Sequence, residues 1–563
     1  MTAGAARYAS RKRAWAAISM PLSELLGRIG IAAIIILVLV PIATIVWLAL
    51  KPGGGQFAHL ASTILPRATT TTLVVLAGVG IFTISIGTTA AWLVTMYRFP
   101  GSALLDRLLV LPLAIPTYIA AYCFVELLDY SGTVHTAARS LLGPKAANML
   151  IPEMRSTLGA VFVLSAVLYP YVYLAARAAF LLQSVCVLEV ARTLGRSQTG
   201  ALWSVVLPLA RPAIAAGAAL ACMEAMSDFG AVQYLGVETF TVAIYATWLQ
   251  RGSLEGAAQL AVLAVGFVLV LVAAERIGRG RGTQRDTTQR IRAIVPEELS
   301  GWRAWLATFA CAMPVLVGFV IPALVLLRSS IGHANVIWTT KFAVAVWNSF
   351  WLAAVAAVLT VALAVVLAYA ARVLRSRIVT LGNLTVRVGY AMPGTVLALG
   401  LLIPLAGIDN AVDGFMRKTF GISTGLLLSG TVFVIIVAYV IRYLAAALGA
   451  IEAGLERLSP NLDAAARTLG ETAASALRRI HLPLIVPALG TAAIIVFVDG
   501  MKELPATILL RPFNFDTLAT TVYAAASLEE FETAAPGALA IVLVGLWPVL
   551  LLHRTMAKGR VGS

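Results

Sequence analysis

Ala191-Arg192-Thr193-Leu194-Gly195 recurs letter for letter as Ala466-Arg467-Thr468-Leu469-Gly470, 275 positions later. In both copies a Leu-Pro-Leu follows, with its proline (Pro208, Pro483) thirteen residues past the glycine, and a second proline (Pro212, Pro487) four further on. Chance supplies a five-letter match. It does not supply the glycine and both prolines at the same offsets, so the chain is a tandem duplication. Helix-forming residues precede each glycine: Leu188, Glu189, Val190 and Ala191 in one copy, Ala464, Ala465 and Ala466 in the other. The glycine lets the backbone leave helical geometry, and the proline starts the next helix. Each copy therefore predicts a short helix, a turn and a second helix: an elbow.

Apolar runs surround the elbows. Of 563 residues, 60% are hydrophobic and 12% charged, against about a quarter charged in an ordinary soluble protein. Eleven long stretches carry no charge. Arg28 and Lys51 bracket 22 residues, Lys341 and Arg372 bracket 30, and Glu532 and Arg554 bracket 21. About 20 residues at 1.5 Å each cross the roughly 30 Å hydrocarbon layer as a helix. A twelfth span, from Pro212 to about Leu235, is interrupted by Glu224 and Asp228 and is recovered only through the repeat. The runs are too long and too uniformly apolar for soluble helices, and they lack the alternation of barrel strands. The first run follows Arg11, Lys12, Arg13 and Arg28. It is longer than a signal-peptide core and has no small-x-small site after Leu48, so it reads as a retained span. The expected fold is an all-α polytopic membrane protein with twelve transmembrane helices in two homologous six-helix halves. The first half is 1–285, with its elbow at 185–212; the second is 286–563, with its elbow at 460–487.

The formal charge of +16 suggests at first a nucleic-acid binder, but its distribution does not. With the N-terminus inside and twelve crossings, the inner segments hold 30 of the 42 Lys and Arg residues. That is the positive-inside pattern. It places both termini and both elbows in the cytoplasm, makes 276–303 the connector between halves, and leaves no role for nucleic acid. An ordinary interfacial amphipathic helix does not explain two elbows at equivalent places; docking onto a two-fold symmetric partner does.

The spans after the elbows carry acids. Glu224 matches Asp499 and Asp228 matches Glu503 under the 275-residue offset, each pair four apart on one helical face. Carboxylates within a membrane face a cavity, a partner charge or a neighbouring helix. Two readings stand: the acids line a route that favours a cation, or they are structural, capping helix ends or pairing with Lys502 or Arg511. The four cysteines (123, 186, 222, 311) and five histidines (59, 135, 333, 481, 553) show no metal or redox spacing. Buried apolar packing suits the cysteines. His481 reads as facing a partner surface or headgroups, and Tyr118, Tyr122, Tyr169, Tyr171 and Tyr173 as interfacial anchors, with phenolate ligation of a metal as the alternative.

The elbows resemble the EAA motif of ABC importer permeases, Glu-Ala-Ala, three residues, Gly, then Leu-Pro. Glu189, Ala191, Gly195 and Pro208 match in the first copy, and Ala464, Ala466, Gly470 and Pro483 stand at the same places in the second. Val190 departs mildly. The second copy lacks the glutamate, having Ala464 beside Asp463, so an ion pair made through Glu189 would be absent or relocated there. The chain as a whole is similar to fused two-half permeases of the ferric iron importer type, through Asp228-Phe229-Gly230 with Thr239 to Tyr245, Lys502 to Thr507, and Arg511-Pro512-Phe513-Asn514-Phe515-Asp516-Thr517-Leu518-Ala519-Thr520.

The resemblance implies a bacterial inner-membrane protein, embedded in membrane lipid, whose elbows couple to a homodimeric ABC ATPase at the cytoplasmic face. It also implies an external solute-binding protein and alternating access. Thiamine, phosphonate, sulfate and polyamine carriers share the elbows and remain alternatives to iron. The chain has no Gly-x-x-x-x-Gly-Lys-Ser/Thr segment, so the expectation is a non-enzyme without a cofactor of its own, ATP and Mg2+ belonging to the partner. A secondary transporter is the rival from another class: it would couple through midplane charges and need no elbows. A membrane scaffold would need neither elbows nor internal polar faces.

Overall fold

A computed structural model describes residues 22–51, 56–182, 200, 202–279, 296–373 and 377–558. Nearly all of them are helical, because hydrocarbon offers the backbone no hydrogen bonds and a helix satisfies its own. Among the described residues ten helices are long and apolar enough to cross a membrane, and two bent pairs bring the count to twelve if each pair is one span. One pair breaks at Ile115-Pro116, between Ser102–Ala114 and Thr117–Leu142, with a bend of 95°. The other breaks at Ile485, between Ala473–Leu484 and Val486–Met501, with a bend of 78°. The span hidden by its acids is present as the helix Leu207–Ser227.

The chain forms two compact units that do not follow the sequential halves. One gathers Met1–Ile42, Ala353–Tyr390 and Tyr439–Phe497; the other gathers Ala43–Leu352, Ala391–Ala438 and Val498–Ser563. The reason lies in the first span of each half. In the smaller unit the N-terminal helix packs on second-half helices, where a Cβ at Gly382 would stand 3.0 Å from Ile31 and one at Gly389 2.9 Å from Val38. In the larger unit the second half's first span, Gly301–Gly332, packs on first-half helices. Thr308 Oγ1 there donates to Pro100 O at 2.9 Å. Each half thus lends its first helix to the other.

The core of the larger unit is the pair Gln56–Met96 and Thr157–Leu182, with Leu207–Ser227 laid against both. Small residues let membrane helices approach closely. At Gly87 the two backbones approach closely, since a Cβ there would lie 2.8 Å from Tyr173 N. At one end of this core a buried cluster ties the helix Ser102–Leu108 to Thr157–Leu182. Arg177 makes a two-pronged pair with Asp106 (Nε–Oδ1 2.6 Å, Nη2–Oδ2 2.8 Å), and Tyr173 donates to the same carboxylate at 2.6 Å. The two-stranded match of Tyr97–Arg98 with Glu297–Glu298 joins the end of the connector to the adjoining loop.

The tyrosines differ from the interfacial expectation. Tyr118, Tyr122, Tyr169 and Tyr173 are all buried. Tyr169 donates to Leu109 O at 2.9 Å, so it and Tyr173 serve as internal helix-to-helix ties. The apolar ring goes into the core whenever the hydroxyl finds a partner there.

Candidate functional site

Two places in the fold concentrate the residues singled out by sequence. The first is the second elbow, in the smaller unit. The helix Asn461–Thr468 ends with Gly470 in the left-handed region at φ 80°. Glu471 N–H reaches back to Ala466 O at 3.0 Å, the 6→1 closure of a Schellman turn. No atom lies within 4 Å of where a Cβ at Gly470 would be. The glycine is therefore required by backbone conformation and not by crowding. Ala464 and Pro483 are exposed and Ala466 is buried, while Leu469 at the tip is 82% exposed.

Behind the tip the elbow is braced by Arg372, at the end of the helix Thr340–Val373. Its Nε donates to Asp463 Oδ2 at 2.8 Å, and its two Nη groups donate to the carbonyls of Leu455, Leu458 and Ser459. His481 is fully buried beneath the same carboxylate, with Nε2 2.9 Å from Asp463 Oδ1 and Nδ1 3.0 Å from Ala476 O. Tyr369 closes the far side by donating to Ala473 O at 2.8 Å. This corrects the surface reading of His481: the π-helical turn Leu477–His481 rotates the ring inward. Asp463, the acid beside the missing glutamate, points into the protein and not toward a partner. Glu471, by contrast, stays at the surface. The Ser475 hydroxyl and the Arg479 guanidinium hold its carboxyl below the usual range.

Glu189, Ala191 and Gly195 of the first elbow lie outside the described residues. The segment C-terminal to them repeats the second copy in register. A π-helical turn occupies Leu202–Val206 as another occupies Leu477–His481, and Pro208 stands in the first turn of Leu207–Ser227 as Pro483 does in Leu482–Leu484. The halves then differ. The first helix runs unbroken through Pro212, and the second kinks just before Pro487.

The second place is where the spans after the elbows break, in the larger unit. Leu207–Ser227 ends at Asp228, and a five-residue helix Gly230–Tyr234 comes next. Asp228 accepts from Ala231 N (3.0 Å), Val232 N (3.2 Å) and the Thr117 hydroxyl. Val486–Met501 gives way to Pro505–Leu510. There Glu503 accepts from Ala506 N (2.9 Å), Thr507 N (3.0 Å) and Thr507 Oγ1 (2.5 Å). Both acids hold the first N–H groups of the next helix, where negative charge is favoured. Asp499 pairs with Lys502 at 2.8 Å, and Glu224 is half-buried on the preceding helix. The breaks meet: a Cβ at Gly230 would lie 2.7 Å from both Leu504 Cδ2 and Tyr118 Cβ. Aromatic rings pack around the meeting point, Tyr122 against Tyr118 and Tyr234, and Phe229 against Tyr245 and Tyr523. Among the described residues no three His, Cys, Asp or Glu side chains form a group able to hold a metal ion.

The two helices are thus broken in register, with the first N–H groups after each break capped by a carboxylate. Residues 83–277, which hold the first elbow and the first break, match the family described as binding-protein-dependent transport system inner membrane component. That stretch of the chain is similar to the inner-membrane components of such transport systems. The chain is 28% identical to the Fe(3+)-transport system permease protein FbpB 2 of Haemophilus influenzae over 493 residues, covering 86% of this chain and 89% of that one. It is 29% identical to the molybdenum transport system permease protein ModB of Escherichia coli over 34% of this chain and 82% of ModB. With the sulfate transport system permease protein CysT of Escherichia coli it shares 32% over 28% of this chain and 53% of CysT. The membrane-length helices of the described residues fit a multi-pass membrane protein.

The sequence pointed to Asp228, Glu503 and the elbow glycines. It did not point to Arg372 or to the meeting of Gly230 with Leu504. The only signal for Arg372 was its place at the inner end of a span.

Proposed function

We propose that this permease imports ferric iron, driven by ATP hydrolysed on a separate homodimeric ABC ATPase and supplied by an external solute-binding protein. The observation that carries the coupling is the elbow at Gly470: an exposed apolar tip on a turn fixed by a left-handed glycine, braced from behind by Arg372. A lever must be rigid at its root and accessible at its tip, and this one is both. Its sequence twin at 191–195 stands at the same place in the other half. The 1–285 and 286–563 halves are then the two arms of one transporter, both elbows and both termini on the cytoplasmic side. The likeness to ModB, which is nearly spanned by a third of this chain, supports a fusion of two single-half permeases.

Iron rests on the likeness to FbpB 2, which extends over most of both chains, and on the acids at the helix breaks. ATP and Mg2+ belong to the partner in this reading. A loaded binding protein favours one state from outside and ATP favours it from inside, each through differential affinity.

The test is uptake of 55Fe(III) into liposomes holding the permease and its ATPase, with the loaded binding protein outside and ATP within. Uptake that needs all three supports the proposal. Uptake driven by a proton or sodium gradient without the ATPase assigns the chain to secondary transport and ends it.

A further inference from the structure

Tyr118 and Tyr122 lie one turn apart on the helix Thr117–Leu128, 4% and 1% exposed. Among the described residues neither hydroxyl has a hydrogen-bond partner. A buried hydroxyl without a partner is a standing cost, and phenylalanine would fill the same space without it. Other unpartnered hydroxyls occur, at Ser165 and Thr360, but a serine or threonine on a helix can turn to the carbonyl four residues back. A tyrosine hydroxyl reaches away from its own helix and has no such refuge.

The two phenols stand where the halves meet. Tyr118 Cβ faces Gly230, and Gly230 faces Leu504. The carboxylates whose charge reaches the Tyr118 hydroxyl are Glu503 and Asp228. Lys502 is paired with Asp499 and Arg511 with Asp516. Two carboxylates beside the phenols disfavour an oxyanion and favour a cation.

We propose that Tyr118 and Tyr122 are ligands of the solute in transit. When the contact between Gly230 and Leu504 parts, their oxygens coordinate a hard, oxygen-seeking trivalent cation, while Asp228 and Glu503 supply the negative field without leaving their helix caps. Neutral phenol oxygen is a weak ligand, which suits a route that must release what it binds. The inference rests on the importer reading and names the residues that contact its cargo.

The experiment uses the complete assembly in liposomes and compares wild type with Tyr118→Phe, Tyr122→Phe, the double variant and Ser165→Ala. Three quantities are read: ATP-driven 55Fe(III) uptake, ATPase stimulation by loaded binding protein, and the unfolding temperature. The double variant is expected to lose at least tenfold in uptake while its unfolding temperature holds or rises and its ATPase stimulation persists. Ser165→Ala is expected to match wild type in all three. Wild-type uptake by the double variant overturns the inference and leaves the importer reading intact, as does a loss of uptake matched by a lower unfolding temperature. Absence of ATP-driven iron uptake by wild type overturns the importer reading itself.

Discussion

Asp228 and Glu503, 275 positions apart, bond in the same way: each carboxylate receives the backbone N–H groups three and four residues ahead and one threonine hydroxyl. The duplication has preserved a hydrogen-bond pattern through a change of side-chain length. The extra methylene of Glu503 is accommodated because its threonine lies on the helix it caps, while Asp228 takes its threonine from another helix.

That equivalence predicts similar costs. Asp228→Ala and Glu503→Ala should each destabilise the protein by about 1–3 kcal/mol, the range for stranding buried donors and losing a cap. Asp228→Asn and Glu503→Gln keep an acceptor oxygen and should cost less. Unfolding temperatures in detergent check the order, and an amide variant less stable than its alanine counterpart would contradict it.

Gly230 predicts a double-mutant cycle. Gly230→Ala places a methyl 2.7 Å from Leu504 Cδ2 and from Tyr118 Cβ, and overpacking of that kind costs about 1–3 kcal/mol. Leu504→Ala should relieve part of the strain. Positive coupling between the two changes, measured by thermal unfolding, is expected; simple additivity would mean that the side chain moves aside freely.

Gly470 predicts a loss of coupling without a loss of fold. A side chain in the left-handed region costs about 1–2 kcal/mol, and the open surroundings add no clash. Gly470→Val should insert normally, yet the assembly that carries it should consume more ATP on its ATPase for each solute moved. Gly195→Val should do likewise by sequence equivalence. Unchanged ATP-driven uptake in both would remove the elbows from the mechanism.

Arg372 predicts that geometry matters beyond charge. It binds one carboxylate and three carbonyls, which needs the guanidinium fork. Arg372→Ala leaves a partly buried Asp463 without its cation and should cost on the order of 2–3 kcal/mol. Arg372→Lys should restore little of the ratio of transport to ATP hydrolysis. Full restoration by lysine would show that charge alone suffices.

Topology is tested by labelling. Leu469→Cys should react with a membrane-impermeant thiol reagent only from the cytoplasmic side. Among the described residues Cys123, Cys222 and Cys311 are buried and free, and Cys186 is changed to serine so that position 469 carries the reporting thiol. Labelling from outside would reverse the orientation on which the coupling depends.

By itself the sequence determined the all-α membrane character and most of the spans, including the one hidden by Glu224 and Asp228, because hydropathy over twenty residues and a repeat offset are properties of the chain alone. It also set the turn at Gly470, where glycine and the Leu-Pro beyond it dictate local backbone. Tertiary structure alone decided the exchange of first spans, the inward turn of His481, the bracing by Arg372, and the burial of Tyr118 and Tyr122 where Gly230 meets Leu504. Those outcomes depend on which distant surfaces come within bonding distance. A side chain of given type can cap, brace or line a route, and only its neighbours in space choose among them.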